Sequence, residues 1–108
     1  MSGVDQVERQ FEIAGRTITL RRMVANEPLD LPVKAVVRFY APHELTGTIT
    51  QGDRRVRISN KEIRENNWPG PPIKGDRMVI DGRLVTIEAV DSRHLGEDLA
   101  SFVIQVRG

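Results

Sequence analysis

The residues that could take part in a reaction are few and scattered. His43 and His94 are the two histidines, and neither accompanies a nucleophile elbow of the G-x-S-x-G type. His94 with Glu97 and Asp98 is the nearest approach to a metal-ligand cluster, but such a trio is more typical of a solvated loop. Glycine-rich phosphate loops of the G-x-x-x-x-G-K-[ST] or G-x-G-x-x-G types are missing. The sequence therefore predicts a protein that is not an enzyme and has no cofactor or metal.

A basic segment points to binding instead. In the run RRVRIS, strand periodicity places Arg55 and Arg57 on one face and the apolar residues on the other. Small barrels of the OB and SH3-like types bind single-stranded nucleic acid on such faces and stack its bases on aromatic side chains. Aromatic residues make up only 5% of this chain and its formal net charge is only +1, so much of what this mode requires is lacking. Nucleic-acid binding is therefore the alternative to a protein-interaction role.

Trp68 is the single tryptophan, and it lies in the stiff segment NNWPGPPIKGDR, which holds three of the six prolines. One interpretation is that the indole packs over one end of the fold and anchors a short helix, with its polar edge near solvent. The other is that the rigid aromatic loop is a hot spot for a partner protein, since its ordering on binding costs little. We prefer the packing role, and the two roles are compatible.

Length and composition predict one domain over residues 1–108. Hydrophobic residues make up 39% and charged residues 29% of the chain, as in globular proteins. The absence of cysteine excludes disulfides and thiolate metal sites and is compatible with a reducing cytosol. The first residues do not resemble a signal peptide, and no apolar run is long enough to cross a bilayer. We therefore expect a protein that is made in the cytoplasm and has no membrane partner.

Hairpins dominate the predicted secondary structure. Turn residues between alternating runs predict hairpins at Gly15, at Gly52-Asp53 and at Asp81-Gly82. Further strands are expected over residues 33–40 and 99–108. The pattern predicts a mainly β fold, a small antiparallel β-barrel or sandwich of six to seven strands with one short helix.

Three further expectations concern the core and the connections. Residues 26–32 hold two prolines, which cannot donate to a strand ladder, so a loop is expected there. Residues 91–98 are expected to form a second loop. Ser59 followed by Glu62 is a capping-box pattern and predicts a helix over about residues 60–66. The positions expected to face the core include Val33, Ala35, Val37, Phe39, Phe102, Ile104 and Val106.

The segments GDRRVRI and GDRMVI, which begin at Gly52 and Gly75, are similar to each other. Two copies are too few for a repeat architecture. The similarity therefore indicates shared turn chemistry.

Residues 68–93, together with the ending FVIQVRG, resemble the carboxyl-terminal half of the lambda-type head-tail joining proteins of phages and prophages, which are connector or stopper proteins of the neck. In that family, apolar strands follow a Pro and Gly-Asp segment, a D-G-type hairpin reverses the chain, and the last strand ends in an apolar-Arg-Gly sequence. The matching positions are Pro72, Gly75, Asp76, Gly82, Ile87, Arg107 and Gly108.

The resemblance implies a structural virion protein that joins head to tail. Such a subunit is monomeric when free, assembles into a ring between the portal-side adaptor and the tail, and lets DNA pass. A nearly neutral subunit suits this role, because a ring around moving DNA should not grip it. Head completion, tail completion and a minor tail role stay open as alternatives.

A ring requires two different patches on each subunit that complement each other. We expect Arg55 or Arg57 of one subunit to lie near Glu97 or Asp98 of its neighbour. The candidate interaction residues are Arg55, Arg57, Trp68, Arg93, His94, Glu97 and Asp98.

Overall fold

The computed structural model describes residues 15–108, which form a closed antiparallel barrel of six strands with one short α-helix. The predicted fold class is therefore confirmed, as a barrel. The first arm of the hairpin predicted at Gly15 lies outside the described residues. The strands are β1 (Arg16–Val24), β2 (Glu27–Phe39), β3 (Arg54–Ser59), β4 (Arg77–Ile80), β5 (Arg83–Leu95) and β6 (Asp98–Arg107). A 3-10 turn (Pro42–Glu44) follows β2, and helix α1 (Asn60–Glu65) follows β3.

Short turns and two long connections produce the closed topology. The strand order around the barrel is β1-β2-β3-β6-β5-β4, and β4 pairs with β1 to close it. Two-residue turns join β1 to β2, β4 to β5, and β5 to β6. Asp81 and Gly82 have φ values of +53° and +75°, which are typical of a type I′ turn and match the twist of the strands. The hairpin predicted at this position is confirmed.

Side chains from alternate positions fill the barrel. Leu20, Ile58, Met78 and Phe102 have no exposed surface. Burial of each such side chain stabilises the fold by about 1.5–3 kcal/mol, so the interior is the main source of stability.

Phe39 is the exception among the predicted core residues. Its side chain is 63% exposed, because it is the last residue of β2, at the rim of the barrel. The Arg54 guanidinium lies 5.3 Å from the centre of its ring. The prediction that Phe39 faces the core is therefore wrong. The other predicted core residues are buried or packed against the core, namely Val33, Ala35, Val37, Phe102, Ile104 and Val106.

The prediction of a loop over residues 26–32 is also wrong, because most of these residues belong to β2. The β1–β2 hairpin has a two-residue turn, so Pro28 and Pro32 occupy non-hydrogen-bonded positions in the ladder with β1. The backbone nitrogen at such a position points away from the partner strand. Because β3 pairs with β2 only from Ala35 onward, this edge of β2 is free and proline removes no ladder bond.

Two other predicted connections differ from the structure. Gly52-Asp53 is a turn, but no strand forms over residues 48–50, and β3 pairs with β2 and β6 instead. The loop expected over residues 91–98 is a hairpin, because β5 continues to Leu95 and β6 begins at Asp98. Gly96 has φ +63°, as the first central position of a type II′ turn requires.

Helix α1 packs against β6 and β2. Its N-cap is Ser59, as predicted, whose Oγ accepts a hydrogen bond from the Lys61 N–H at 3.2 Å. The Glu62 carboxylate does not take the place predicted for it in a capping box. It accepts a hydrogen bond from the Lys34 N–H of β2 at 2.6 Å, and so satisfies a backbone donor on the free edge of that strand.

Within residues 15–108, no helix has the length and apolar character needed to cross a bilayer.

Candidate interaction surfaces

Trp68 is a core residue. It is only 7% exposed and belongs to the main hydrophobic cluster. Its backbone N–H donates to the Ile63 carbonyl of α1 at 3.2 Å, which connects it to the end of the helix. The packing role is confirmed, and a ring so buried offers little surface to a partner. Its indole Nε1–H is buried and has no acceptor among the described residues, so the prediction that its polar edge lies near solvent is wrong.

Arg22 of β1 holds the proline-rich segment against the barrel. Its guanidinium lies 5.3 Å from the centre of the Trp68 ring and forms a two-point ion pair with Asp76 at 2.9 and 2.6 Å. It also donates to the carbonyls of Pro69 and Pro71. Paired charge-assisted hydrogen bonds are strong and fix orientation, so the segment is attached to β1 at several points.

Asp53 forms a second ion pair of this kind. Its carboxylate is 2% exposed and accepts two hydrogen bonds from Arg107, each 3.0 Å long, and one from Gln105 at 2.8 Å. Both of these β6 side chains also donate to the Thr48 carbonyl, at 2.7 and 3.1 Å. The Arg107 hydrogen bonds are the main reason why the pKa of Asp53 lies well below its usual range. The loop before β3 is thereby attached to β6.

The two Gly-Asp turns are equivalent, so the prediction of shared turn chemistry is confirmed. The carboxylates of Asp53 and Asp76 each accept the backbone N–H three residues earlier, from Thr50 and Ile73 respectively, at 3.0 Å. Each aspartate N–H also donates to the carbonyl of that same residue at 3.1 Å. The glycines before them have φ +95° and +96°, a conformation that glycine adopts without strain.

The structure brings Arg55, Arg57 and Arg93 together on the outer face of the sheet formed by β3, β6 and β5. Arg55 and Arg93 line a shallow groove with Tyr40. Burial lowers the pKa of Arg55, and the neighbouring Arg38, Arg57 and Arg93 lower it further. Burial raises the pKa of Tyr40, because it disfavours the charged phenolate. We call this surface the basic groove (Tyr40, Arg55, Arg93, Val103 and Gln105).

Local carboxylates neutralise part of this charge. Arg93 pairs with Asp91 at 2.9 Å, and Arg38 pairs with Glu44 at 2.8 Å. The Arg38 hydrogen bonds, followed by that of the Ala41 N–H, lower the pKa of Glu44 to about 2. The groove is therefore less attractive to a polyanion than its arginines alone suggest.

The other predicted residues lie at the far end of the β5–β6 hairpin. His94, Glu97 and Asp98 are exposed, and so is Leu95, at 41%. Over residues 91–95, β5 pairs only with β6. We call Leu95, Gly96, Glu97 and Asp98 the hairpin tip. Of the predicted residues, Arg55 and Arg93 belong to the basic groove, and Arg57 lies near Arg55. Glu97 and Asp98 belong to the hairpin tip, which His94 precedes by one residue, and Trp68 lies in the core.

A further surface, which was not predicted from the sequence, is a groove that we call the Met23 groove. Its apolar residues are Met23, Pro28, Ile73 and Leu84, and its volume is about 730 Å³. Three of these side chains are 42% to 60% exposed. The available signal was a large apolar residue at an outward position, since strand periodicity places Met23 on the face opposite Leu20 and Leu84 on the face opposite Val85, and both of the latter are buried. The groove also has cationic residues along its border, including Lys74 and Arg77.

Within residues 15–108, no three His, Cys, Asp or Glu side chains are arranged to hold a metal ion. No protein-family model matches the chain, and a search of the curated proteins finds no match.

Replacement of Trp68 separates ring packing from indole hydrogen bonding. Trp68→Ala is expected to lower the free energy of unfolding by about 3–5 kcal/mol, because it leaves a cavity in the core. Trp68→Phe is expected to cost far less, about 1–2 kcal/mol, since the donor that it removes has no acceptor. Urea unfolding followed by circular dichroism measures both. Equal losses in the two variants would contradict the account.

The Asp53 ion pair predicts a defined pH dependence. The folded state holds the pKa of Asp53 below the value of about 3.9 in an unfolded chain. Its stabilisation is therefore complete above about pH 5 and is lost as the pH falls further, because the unfolded state takes up the proton first. Asp53→Asn should lower the free energy of unfolding by about 1–3 kcal/mol at pH 7, and the difference from the unmodified chain should shrink between pH 5 and pH 2.

The matched control is Asp91→Asn, because Asp91 forms an ion pair but its side chain is 63% exposed. That variant should change stability by less than about 1 kcal/mol. A stability difference for Asp53→Asn that stays constant from pH 7 to pH 2 would show that its carboxylate charge is not what stabilises the loop.

Proposed function

We propose that this chain is a structural subunit of a tailed-phage neck, which joins head to tail as part of a ring. The observation that carries the proposal is that the outer parts of two long hairpins expose apolar and charged side chains. Over residues 22–24 of β1 and 91–95 of β5, each strand pairs only with its hairpin partner. Exposed apolar surface bordered by charges is typical of protein contacts.

The resemblance to head-tail joining proteins also supports the proposal, because most of its positions have structural roles here. Gly75 and Asp76 form the turn that Arg22 binds, and Gly82 has the positive φ of the β4–β5 turn. Ile87 is fully buried, and Arg107 pairs with Asp53. The resemblance thus involves residues that determine how this half of the barrel folds.

The proposal also specifies partners and location. The partners are the portal-side adaptor and the tail proteins, and further copies of the chain complete the ring. The subunit is made in the host cytoplasm as a monomer and belongs to the virion neck after assembly. A formal net charge of +1 gives little counterion-release affinity for DNA, so DNA can pass without being gripped.

Single-stranded nucleic-acid binding is the second candidate. It is favoured by the basic groove, where Tyr40 could stack on a base beside Arg55 and Arg93. We rank it lower because Arg93 and the nearby Arg38 already have carboxylate partners.

Removal of the gene from a phage or prophage that carries it tests the proposal. Lysates are expected to contain DNA-filled heads and separate tails under the electron microscope, because the joining step alone is lost. Expression of the chain from a plasmid should restore joined particles, whereas an empty plasmid should not. Normal virions without the chain, or an arrest before DNA packaging, would contradict the neck role.

Titration of the purified chain with labelled oligo(dT) tests the second candidate. The neck role predicts negligible binding at moderate salt, and Arg55→Glu should then change nothing. Binding that weakens steeply with salt and is lost in Arg55→Glu would favour the nucleic-acid module instead.

A further inference from the structure

We propose that the hairpin tip of one copy docks into the Met23 groove of a second copy. The proposal rests on the proposed function in one respect, namely that the contact repeats around a ring. The two surfaces themselves are features of this chain alone.

The Met23 groove offers an apolar floor with a cationic border. Met23 is 60% exposed and Ile73 is 55% exposed. Lys74 and Arg77 lie beside them and are exposed. Within residues 15–108 neither cation has an ion-pair partner, whereas the neighbouring Arg21 and Arg22 are paired with Asp30 and Asp76. The groove therefore has two positive charges available for an acidic partner.

The hairpin tip has the complementary composition. Leu95 is 41% exposed and is followed within three residues by Glu97 and Asp98, both of which are exposed. In the part of the chain that the structure describes, these carboxylates form no ion pair. The tip therefore offers one apolar side chain and two unpaired carboxylates. The groove offers an apolar surface and two unpaired cations, so the two surfaces are complementary in polarity and in charge.

The tip and the groove lie near opposite ends of one strand. Leu84, at the start of β5, lines the groove, and Leu95 ends the same strand. Eleven residue steps separate them, which is at most roughly 36 Å along an extended strand. The two surfaces do not overlap, so every copy can offer both at once. Contact between different patches is heterologous and generates a ring when its rotation closes.

This docking mode differs from the contact expected between Arg55 or Arg57 and the tip. Arg55 is partly buried beside Tyr40, and Arg57 already takes part in other interactions. Lys74 and Arg77 of the Met23 groove are more exposed than Arg55. They also lie beside exposed apolar side chains, of which the basic groove has fewer. The structure thus favours Lys74 and Arg77 as the partners of Glu97 and Asp98.

Cross-linking of two single-cysteine variants tests the proposal, since the chain has no cysteine of its own. Pro28→Cys places a thiol in the groove itself, and His94→Cys places one beside the tip. The first leaves Met23, Ile73, Lys74 and Arg77 unchanged, and the second leaves Leu95, Glu97 and Asp98 unchanged. A mixture of the two at high concentration, treated with a short bismaleimide, is expected to give a linked heterodimer. Arg55→Cys with His94→Cys is the matched control and should give at least fivefold less product.

A charge exchange shows whether the cross-link depends on the proposed ion pairs. Glu97→Lys with Asp98→Lys in the His94→Cys chain should reduce the product about fivefold or more. Lys74→Glu with Arg77→Glu in the Pro28→Cys chain should restore it, whereas Arg55→Glu with Arg57→Glu should not. No heterodimer above the control, or a yield that is indifferent to these charges, would overturn the docking mode.

The two proposals can fail separately. Suppose that the chain restores head-tail joining, but that His94→Cys cross-links to Arg55→Cys in higher yield than to Pro28→Cys. The neck role would then stand, and this docking mode would be wrong. A charge-dependent cross-link through the groove, in a chain whose loss leaves virions normal, would support the docking mode and contradict the neck role.

Discussion

Two ion pairs, each formed by a buried aspartate, determine how β3 and β4 enter the barrel. The Asp53 carboxylate binds Arg107 of β6, and the Asp76 carboxylate binds Arg22 of β1. In each case the arginine lies on a strand that pairs with the entering strand. These strands follow the longest connections in residues 15–108, so no hairpin turn sets their register. Loss of the arginine would leave a buried carboxylate uncompensated, which is costly, and each pair thereby favours one register.

The closed barrel determines where the remaining surfaces lie. Because β1 pairs with β4 over only three residues, the outer part of the β1–β2 hairpin extends past the closed region and exposes Met23. The outer part of the β5–β6 hairpin is left without a second neighbour in the same way. β5 contributes Leu84 to the groove and Leu95 to the tip, and a rigid strand thus sets the distance between them. A small filled barrel can in this way present two separate binding surfaces.

The sequence predicted the features that depend on neighbouring residues. Asp81-Gly82 and Ser59 are local signals, and they were sufficient to predict the β4–β5 turn and the start of helix α1. The β2 prolines were misleading, because their effect depends on which side of the strand has a partner, and pairing between distant segments decides that. The Gly96-Glu97 turn was missed because charged residues hid the strand alternation around it. The Met23 groove could not be read from any one segment, since its residues come from β1, β2, the connection before β4, and β5.

Electron cryomicroscopy of assembled particles from a phage that encodes this chain tests the central claim most directly. The account predicts a ring of six-stranded barrels between portal and tail, in which Leu95 of each subunit contacts Met23 and Ile73 of the next. A neck built without this chain, or a ring whose subunits meet with the Met23 groove facing solvent, would contradict it.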